Sequence, residues 1–194
     1  MLKQFRPAMT LLVLLTLLTG VAYPLAMTGL AQVVLPGAAN GSLVVRDGRV
    51  VGSVLIGQTF TADRYFHGRP SAAGSNGYDA AASSGSNLGP LSTKLRDRIA
   101  KDIVNLKAGQ IAIIPADAVT ASASGLDPHI SPQYAHLQLP RIARVRGMPE
   151  AQVRHILSMH IDAPILGFLG EPQVNVLSLN MALDSAARSA PIDK

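Results

Sequence analysis

Apolar and polar positions alternate along this chain in several distinct rhythms, and each rhythm predicts a different element. From Pro7 to Val45 no side chain is charged, and Ala8–Leu35 is mostly Leu, Val, Ala, Met and Thr. As a helix rising about 1.5 Å per residue, these roughly 28 residues exceed the roughly 30 Å apolar core of a bilayer even when tilted. Lys3 and Arg6 precede the run, and the next charge is Arg46. The excess of positive charge on the cytoplasmic side then places residues 1–7 in the cytoplasm, 8–35 across the membrane and 36–194 outside. The competing reading is a secretory signal, with small residues at Gly29-Leu30-Ala31 before a cut. Signal apolar regions run only about 7–15 residues, so the length favours an uncleaved anchor. Tyr23 and Pro24 interrupt the run, but membrane helices tolerate proline. Gly20, Ala22 and Gly29 are small enough to let a second helix approach closely.

Past the apolar run the rhythm shortens. Leu35–Gly41 (LPGAANG) is a turn-rich linker, and Asp47-Gly48 stands between two Val-rich runs, a hairpin signal with strands at Ser42–Arg46 and Val50–Ile56. Thr61–Pro90 has neither a helical nor a strand period and is dense in Gly, Ser, Ala and Asn. Composition alone says linker, yet a loop of this length inside a domain is rare unless functional or disordered. Its Tyr65, Phe66 and Tyr78 point to packing.

A helical period then returns. Leu95, Ile99, Ile103 and Leu106 share one face, with Ser92 or Thr93 as cap and Gly109 past the end. Ile111–Pro115 reads as a short buried strand. Ile130–Gly147 reads as a helix disturbed at Pro140, where proline removes a donor. Met148–Ile161 reads as a helix with Pro149 in its first turn beside Glu150. In Val174–Asp184 the alternation of Leu177, Leu179, Met181 and Leu183 competes with helical spacing of Val174, Leu177, Met181 and Asp184, giving a strand that turns helical. The whole is α+β: a single N-terminal transmembrane helix followed by one mixed α/β extracytoplasmic domain.

Charge and composition narrow the function. The net charge is +5, but without Lys3 and Arg6 the remainder has 15 basic against 12 acidic side chains, or +3, scattered along the chain. With four Phe and four Tyr for stacking, nucleic acid is not the partner. The absence of cysteine removes disulfides, thiolate metal sites and cysteine nucleophiles together.

Enzyme signatures are missing as well. No GxGxxG, GxxxxGK[ST], GxSxG or HExxH occurs, and His155 and His160 are five apart, off a shared helix face. His67, His129 and His136 with Asp127 have no ligand spacing that favours a metal.

The segment Ser122–Pro132, SASGLDPHISP, sets Asp127 and His129 on either side of Pro128, with Pro132 closing it. Pro128 and Pro132 fix their own φ and push Asp127 and Ser131 toward extended backbone, while Gly125 permits a positive φ. Asp, Ser and His side chains can satisfy backbone groups that no helix or sheet reaches. Such a loop suits a rigid docking surface.

Four blocks carry a resemblance: YFHGRPSA (Tyr65–Ala72), SGSNLGP (Ser84–Pro90), VTASASGLDPHISP (Val119–Pro132) and LGEPQVNVLSLNMALD (Leu169–Asp184). They resemble the C subunits of the bacterial Kdp potassium-transporting ATPase, over essentially the whole chain, with the single membrane span where that family has it. SSGSNLGPLS departs from the family's SGGSNLGP followed by a Thr/Ser-Asn pair, which weakens any claim that each serine there is indispensable. The resemblance implies a catalytic chaperone, a chain that raises the pump subunit's affinity for ATP in a transient ternary complex without a cofactor of its own. Its implied partners are a channel-like potassium-binding subunit, a P-type ATPase subunit and a small membrane subunit, alongside membrane lipid. Neither DKTGT nor TVGYG is present, so this chain does neither large subunit's job.

By analogy with an ABC-type signature, Ser84, Gly85, Ser86 and Asn87 are the candidate ATP contacts. An external domain has no ATP beside it, so the same block also reads as a packed loop. Partner contacts are expected at Tyr65, Phe66, His67, Arg69 and Pro70, at Leu88, Gly89 and Pro90, and at Ser122, Gly125, Leu126, Asp127, Pro128, His129, Ser131 and Pro132. Two other classes compete: an anchored periplasmic hydrolase using Ser122 or Ser124 with His129, and a general adhesion or assembly module.

Overall fold

A computed structural model of the chain describes residues 2–106 and 113–189. It divides into two units, Met1–Val51 and Gly52–Lys194.

In the first unit, α1 (Leu2–Leu17), one π turn (Leu18–Ala22) and α2 (Tyr23–Val34) follow without a break. Proline lacks an N–H, and its ring crowds the carbonyl four residues back. A turn widened just ahead of Pro24 moves the pairing, so that Tyr23 N–H donates to the Leu18 carbonyl five residues earlier. Lys3–Val34 is long and apolar enough to cross a membrane, and none of its apolar side chains is buried. Asn40, at the end of the short α3 (Pro36–Ala39), ties back through Nδ2 to Gln32 Oε1 at 3.1 Å and the Pro36 carbonyl at 2.7 Å.

The expected hairpin is present as β1 (Leu43–Arg46) and β2 (Arg49–Ser53), turning at Asp47 and Gly48 with φ of 52° and 75°. Two consecutive positive φ values are the requirement of the tight hairpin turn, which explains an Asp-Gly pair. β2 stops short of Ile56 because Ser53 breaks the ladder: its Oγ accepts from Leu55 N–H and its carbonyl from Ile56 N–H.

The second unit has a three-stranded antiparallel sheet, β3 (His129–Ile130), β5 (Gln173–Asn175) and β4 (Ile161–Asp162), with β5 central. Helices α5 (Pro132–Arg146), α6 (Glu150–Ser158) and α7 (Val176–Ser189) supply most of the core around it. Leu139, Ile142, Val153, Leu157, Val174, Leu179 and Leu183 are all at most 1% exposed. In α7 the buried positions 176, 177, 179, 180, 183 and 184 follow the helical period, so the strand of the last segment ends at Asn175.

Three expectations need correction. Helix α5 runs through Pro140 without interruption. An interior proline costs about 3 kcal/mol, and burial of Leu139, Ile142, Ala135 and Tyr134 on the same helix offsets it. Pro149 is the N-cap of α6, extended at ψ 133°, one place ahead of the first turn. Of the strand expected at Ile111–Pro115, Ile111 and Ala112 lie outside the described residues; Ile113–Pro115 is irregular, and Ile113 is 97% exposed. An apolar run of this length does not by itself distinguish a strand from a connecting segment.

Helix α4 (Thr93–Leu106) begins where expected, with Ser92 Oγ accepting from Leu95 N–H at 3.4 Å. Leu95, Ile99, Ile103 and Leu106 are only half-buried, and Gly109 lies outside the described residues. Thr61–Pro90 contains no helix or strand, yet Phe66 and Ala73 within it are completely buried.

Candidate functional site

Irregular backbone can be buried only if its polar groups find partners. In the 61–90 segment two side-chain amides supply them. Asn180 Oδ1 accepts from Phe66 N–H at 2.8 Å, and Asn180 Nδ2 donates to the Phe66 carbonyl at 3.0 Å. Gln138 repeats the arrangement one residue on, accepting from His67 N–H at 2.8 Å and donating to its carbonyl at 3.1 Å. The two amides act as substitute strands, one from α7 and one from α5. Phe66 is thereby fixed at 0% exposure in the core, a burial of about 2–3 kcal/mol in transfer free energy.

Around this point sits a cationic cluster. Asp184 accepts from Arg64 at 3.1 Å, from Arg146 at 2.9 Å and from the Tyr65 hydroxyl at 3.1 Å. The two guanidinium groups lie 5.2 and 5.3 Å from the Tyr65 ring centre, within reach of a cation–π attraction. Arg141 donates to the carbonyls of Asp63 and Tyr65. His67 is half-buried beside Arg141, and burial first, then that positive charge, holds its pKa below the usual 6.5.

Farther along, the segment locks to Ser122–Pro132. Ser71 Oγ donates to the Gly125 carbonyl at 2.6 Å and accepts from Tyr78 N–H at 2.7 Å, while the Tyr78 hydroxyl donates to the Arg69 carbonyl at 2.7 Å. Burial pushes the Tyr78 phenol up to about 12, so it stays a donor. Gly125 is the tightest joint. Its φ is 66°, and a Cβ there would lie 2.5 Å from the Ser84 carbonyl oxygen and 2.7 Å from Ala73 N. Glycine is required twice over, by conformation and by space.

Arg69 and Asp127 complete the joint, with Nη1 donating to Oδ2 at 2.9 Å. Asp127 Oδ1 also accepts from His129 N–H at 3.0 Å, and His129 Nδ1 lies 3.6 Å from that oxygen. Burial alone would raise the Asp127 pKa, but the hydrogen bonds from His129 and Arg69 prevail and hold it below the usual carboxylate value. Arg69, Asp127 and His129 line an open cleft of about 500 Å³ together with Asp117, Ser131 and Glu171.

The end of SASGLDPHISP differs from expectation. His129 and Ile130 are not loop but a strand, in register with Asn175 and Val174. Ser131 caps α5, its Oγ accepting from Tyr134 N–H at 3.0 Å, with Pro132 in the first turn. Asp117 in turn accepts from both Ser131 N–H and Oγ. The proline spacing hid these roles because the partner strand and Asp117 lie elsewhere in the chain. The loop proper is Ser122–Pro128, held by Leu126 and Pro128 carbonyls that accept from Gly57 and Val176 N–H.

Ser84–Asn87 packs against the same loop. Ser84 N–H donates to the Ser124 carbonyl at 2.9 Å, and a Cβ on Gly85 would stand 2.9 Å from the Ala123 carbonyl oxygen. Pro70, Ser86, Leu88 and Ser122 are half-buried, whereas Asn87, Gly89 and Pro90 are exposed. Of the two serines weighed as nucleophiles, Ser124 has an Oγ that accepts from Leu126 N–H. Among the described residues no three His, Asp or Glu side chains are placed to hold a metal ion.

The sequence reading missed Asn180, Gln138 and Arg146. A polar residue at a core-facing position of an apolar helix, as Asn180 is between Leu179 and Leu183, was the available signal.

Comparison with known proteins agrees with the matched blocks. Residues 5–185 match the sequence model of the family described as KdpC, the K+-transporting ATPase c chain. A Rhodopseudomonas palustris protein named potassium-transporting ATPase KdpC subunit is 55% identical over 96% of this chain and 99% of its own length. Proteins of the same name from Caulobacter vibrioides (55%, 99% of this chain and 97% of theirs) and Gemmatimonas aurantiaca (54%, 98% and 97%) are equally near. A family match spanning nearly the whole chain, with the four blocks inside it, makes this protein a member of the KdpC family, subunits of the potassium-transporting ATPase.

Proposed function

We propose that the chain is a non-catalytic accessory subunit of a high-affinity, ATP-driven potassium-uptake complex, anchored by its N-terminal helix and bracing the assembly with its folded domain. Residues 1–7 face the cytoplasm, 8–35 cross the membrane and 36–194 lie outside. The charge asymmetry of Lys3 and Arg6 against an uncharged run to Val45 supports that orientation. The partners are the channel-like potassium-binding subunit, the P-type ATPase subunit and a small membrane subunit, with lipid around the helix.

The observation that carries this reading is the Arg69–Asp127 pair. It joins two irregular loops, yet the two side chains remain 23% and 28% exposed at an open cleft. Surface loops held this firmly suit recognition, because little ordering entropy remains to be lost on docking. The Ser84–Asn87 block supports a joint rather than a nucleotide cradle. A phosphate-binding loop offers free backbone N–H groups. Here Ser84 N–H is already spent on Ser124, and the Gly85 face is covered by Ala123. The catalytic-chaperone action then reaches ATP only through contact with the pump subunit.

Alanine at Arg69, Asp127, His67 and His129, singly and together, tests the reading. The combined variant is expected to lose retention of the other subunits and potassium uptake in parallel while the chain stays folded. Unchanged assembly and transport would remove the loops from the account.

A further inference from the structure

Between β4 and β5 the chain runs Ala163–Gly170, APILGFLG, without one charged or hydrogen-bonding side chain. The segment is nonetheless closed. Ile165 N–H donates to the Leu169 carbonyl at 3.0 Å and Leu169 N–H donates back at 2.9 Å, with Gly167 N–H on the Pro164 carbonyl. Leu166 sits at φ 55°, a region that residues with a branched apolar side chain rarely occupy. Ile165, Leu166, Phe168 and Leu169 are 68%, 81%, 77% and 58% exposed. Single exposed apolar residues are ordinary on any surface. Four within five positions of one closed turn form a patch of the kind that marks a contact.

Charge decides what covers it. Asp162 and Glu171 flank the turn, both exposed, and no Lys or Arg occurs between Arg154 and Arg188. Segments that bind anionic lipid carry basic clusters, and this one carries the opposite sign. A protein pocket with an apolar floor and basic residues at its rim matches both features, an aromatic anchor at the centre and charge around it. We propose that Ile165–Leu169 is a docking knob whose Leu166 and Phe168 insert into an apolar, basic-rimmed pocket on another subunit of the potassium pump. The proposal rests on the reading that this chain works inside that complex; Leu166 and Phe168 lie outside the Arg69–Asp127 cleft, whereas Glu171 lines it.

The test uses the tagged full-length chain co-expressed with the other subunits. In one arm Phe168 is replaced by photo-reactive benzoylphenylalanine, and the crosslinked product is identified by mass spectrometry. In the other, Leu166→Ser/Phe168→Ser and Asp162→Lys/Glu171→Lys are compared with wild type for subunits retained per chain, with thermal unfolding of each chain as the control on folding. Expected are a crosslink to one other subunit beside a Lys or Arg, and at least about tenfold lower retention by the serine pair at unchanged unfolding temperature. The lysine pair is expected to lower retention too. Crosslinks confined to lipid or to a second copy of this chain, or undiminished retention by the serine pair, would overturn the knob alone. A wild-type chain that retains no other subunit would overturn the complex reading and the knob with it.

Discussion

Asn180 holds Phe66 by both of its backbone groups, at 2.8 and 3.0 Å, across 114 positions of sequence. That one amide converts a segment with the composition of a linker into part of the core. Removing it in Asn180→Ala leaves a buried N–H and a buried carbonyl unpaired, at about 1–3 kcal/mol each. The full chain in mild detergent should therefore lose about 2–6 kcal/mol in equilibrium unfolding, with Leu-to-Ala-scale effects despite the small change in volume. A loss below about 0.5 kcal/mol would mean that the segment is held by something else.

What the sequence made legible followed range. The long apolar N-terminal helix, the Asp47-Gly48 hairpin and α4 were readable because apolar period, turn chemistry and capping act over short stretches of sequence. The strand at His129–Ile130 was not, since it exists only by pairing with Val174 and Asn175. Nor was the continuity of α5 through Pro140, where tertiary burial of Ile142 and Leu139 outweighs a local rule. At the candidate site the structure packs the blocks at Tyr65–Ala72, Ser84–Pro90 and Val119–Pro132 together. The bonds that join them, Arg69 to Asp127 and Ser71 to Gly125, required coordinates.

Glycine substitutions separate conformation from space. Gly147 has φ 64° with nothing within 4 Å of its would-be Cβ, so Gly147→Ala should cost only the left-handed penalty, about 1 kcal/mol. Gly125 has nearly the same φ but meets Ser84 and Ala73 backbone, so Gly125→Ala adds a clash of about 1–3 kcal/mol. Unfolding midpoints of the two variants, measured side by side, should differ clearly; equal losses would mean that the 61–90 and 122–128 loops are not locked.

Stability should fall on mild acidification. The folded His67 pKa lies below its ordinary 6.5, through burial and then Arg141, so the unfolded chain binds the proton first. The contribution is complete above 6.5 and declines as pH drops from there toward the folded value. Thermal unfolding at pH 7.5 and 5.5 should show the decline, and His67→Asn should flatten it. An identical pH dependence in the variant would place the effect on another group.

Topology can be read chemically, because the chain has no cysteine of its own. Cysteine introduced at exposed Ala81 should react with a membrane-impermeant maleimide in intact spheroplasts, and cysteine at Gln4 only after lysis. The reverse pattern would move the domain to the cytoplasm.

The central claim is that this chain is a working part of a potassium pump. Its most direct test is purification of the tagged chain in mild detergent from membranes of potassium-starved cells, with mass spectrometry of everything retained. The account predicts a P-type ATPase subunit and a channel-like subunit in fixed proportion to the chain. A folded chain that emerges alone, wash after wash, would contradict it.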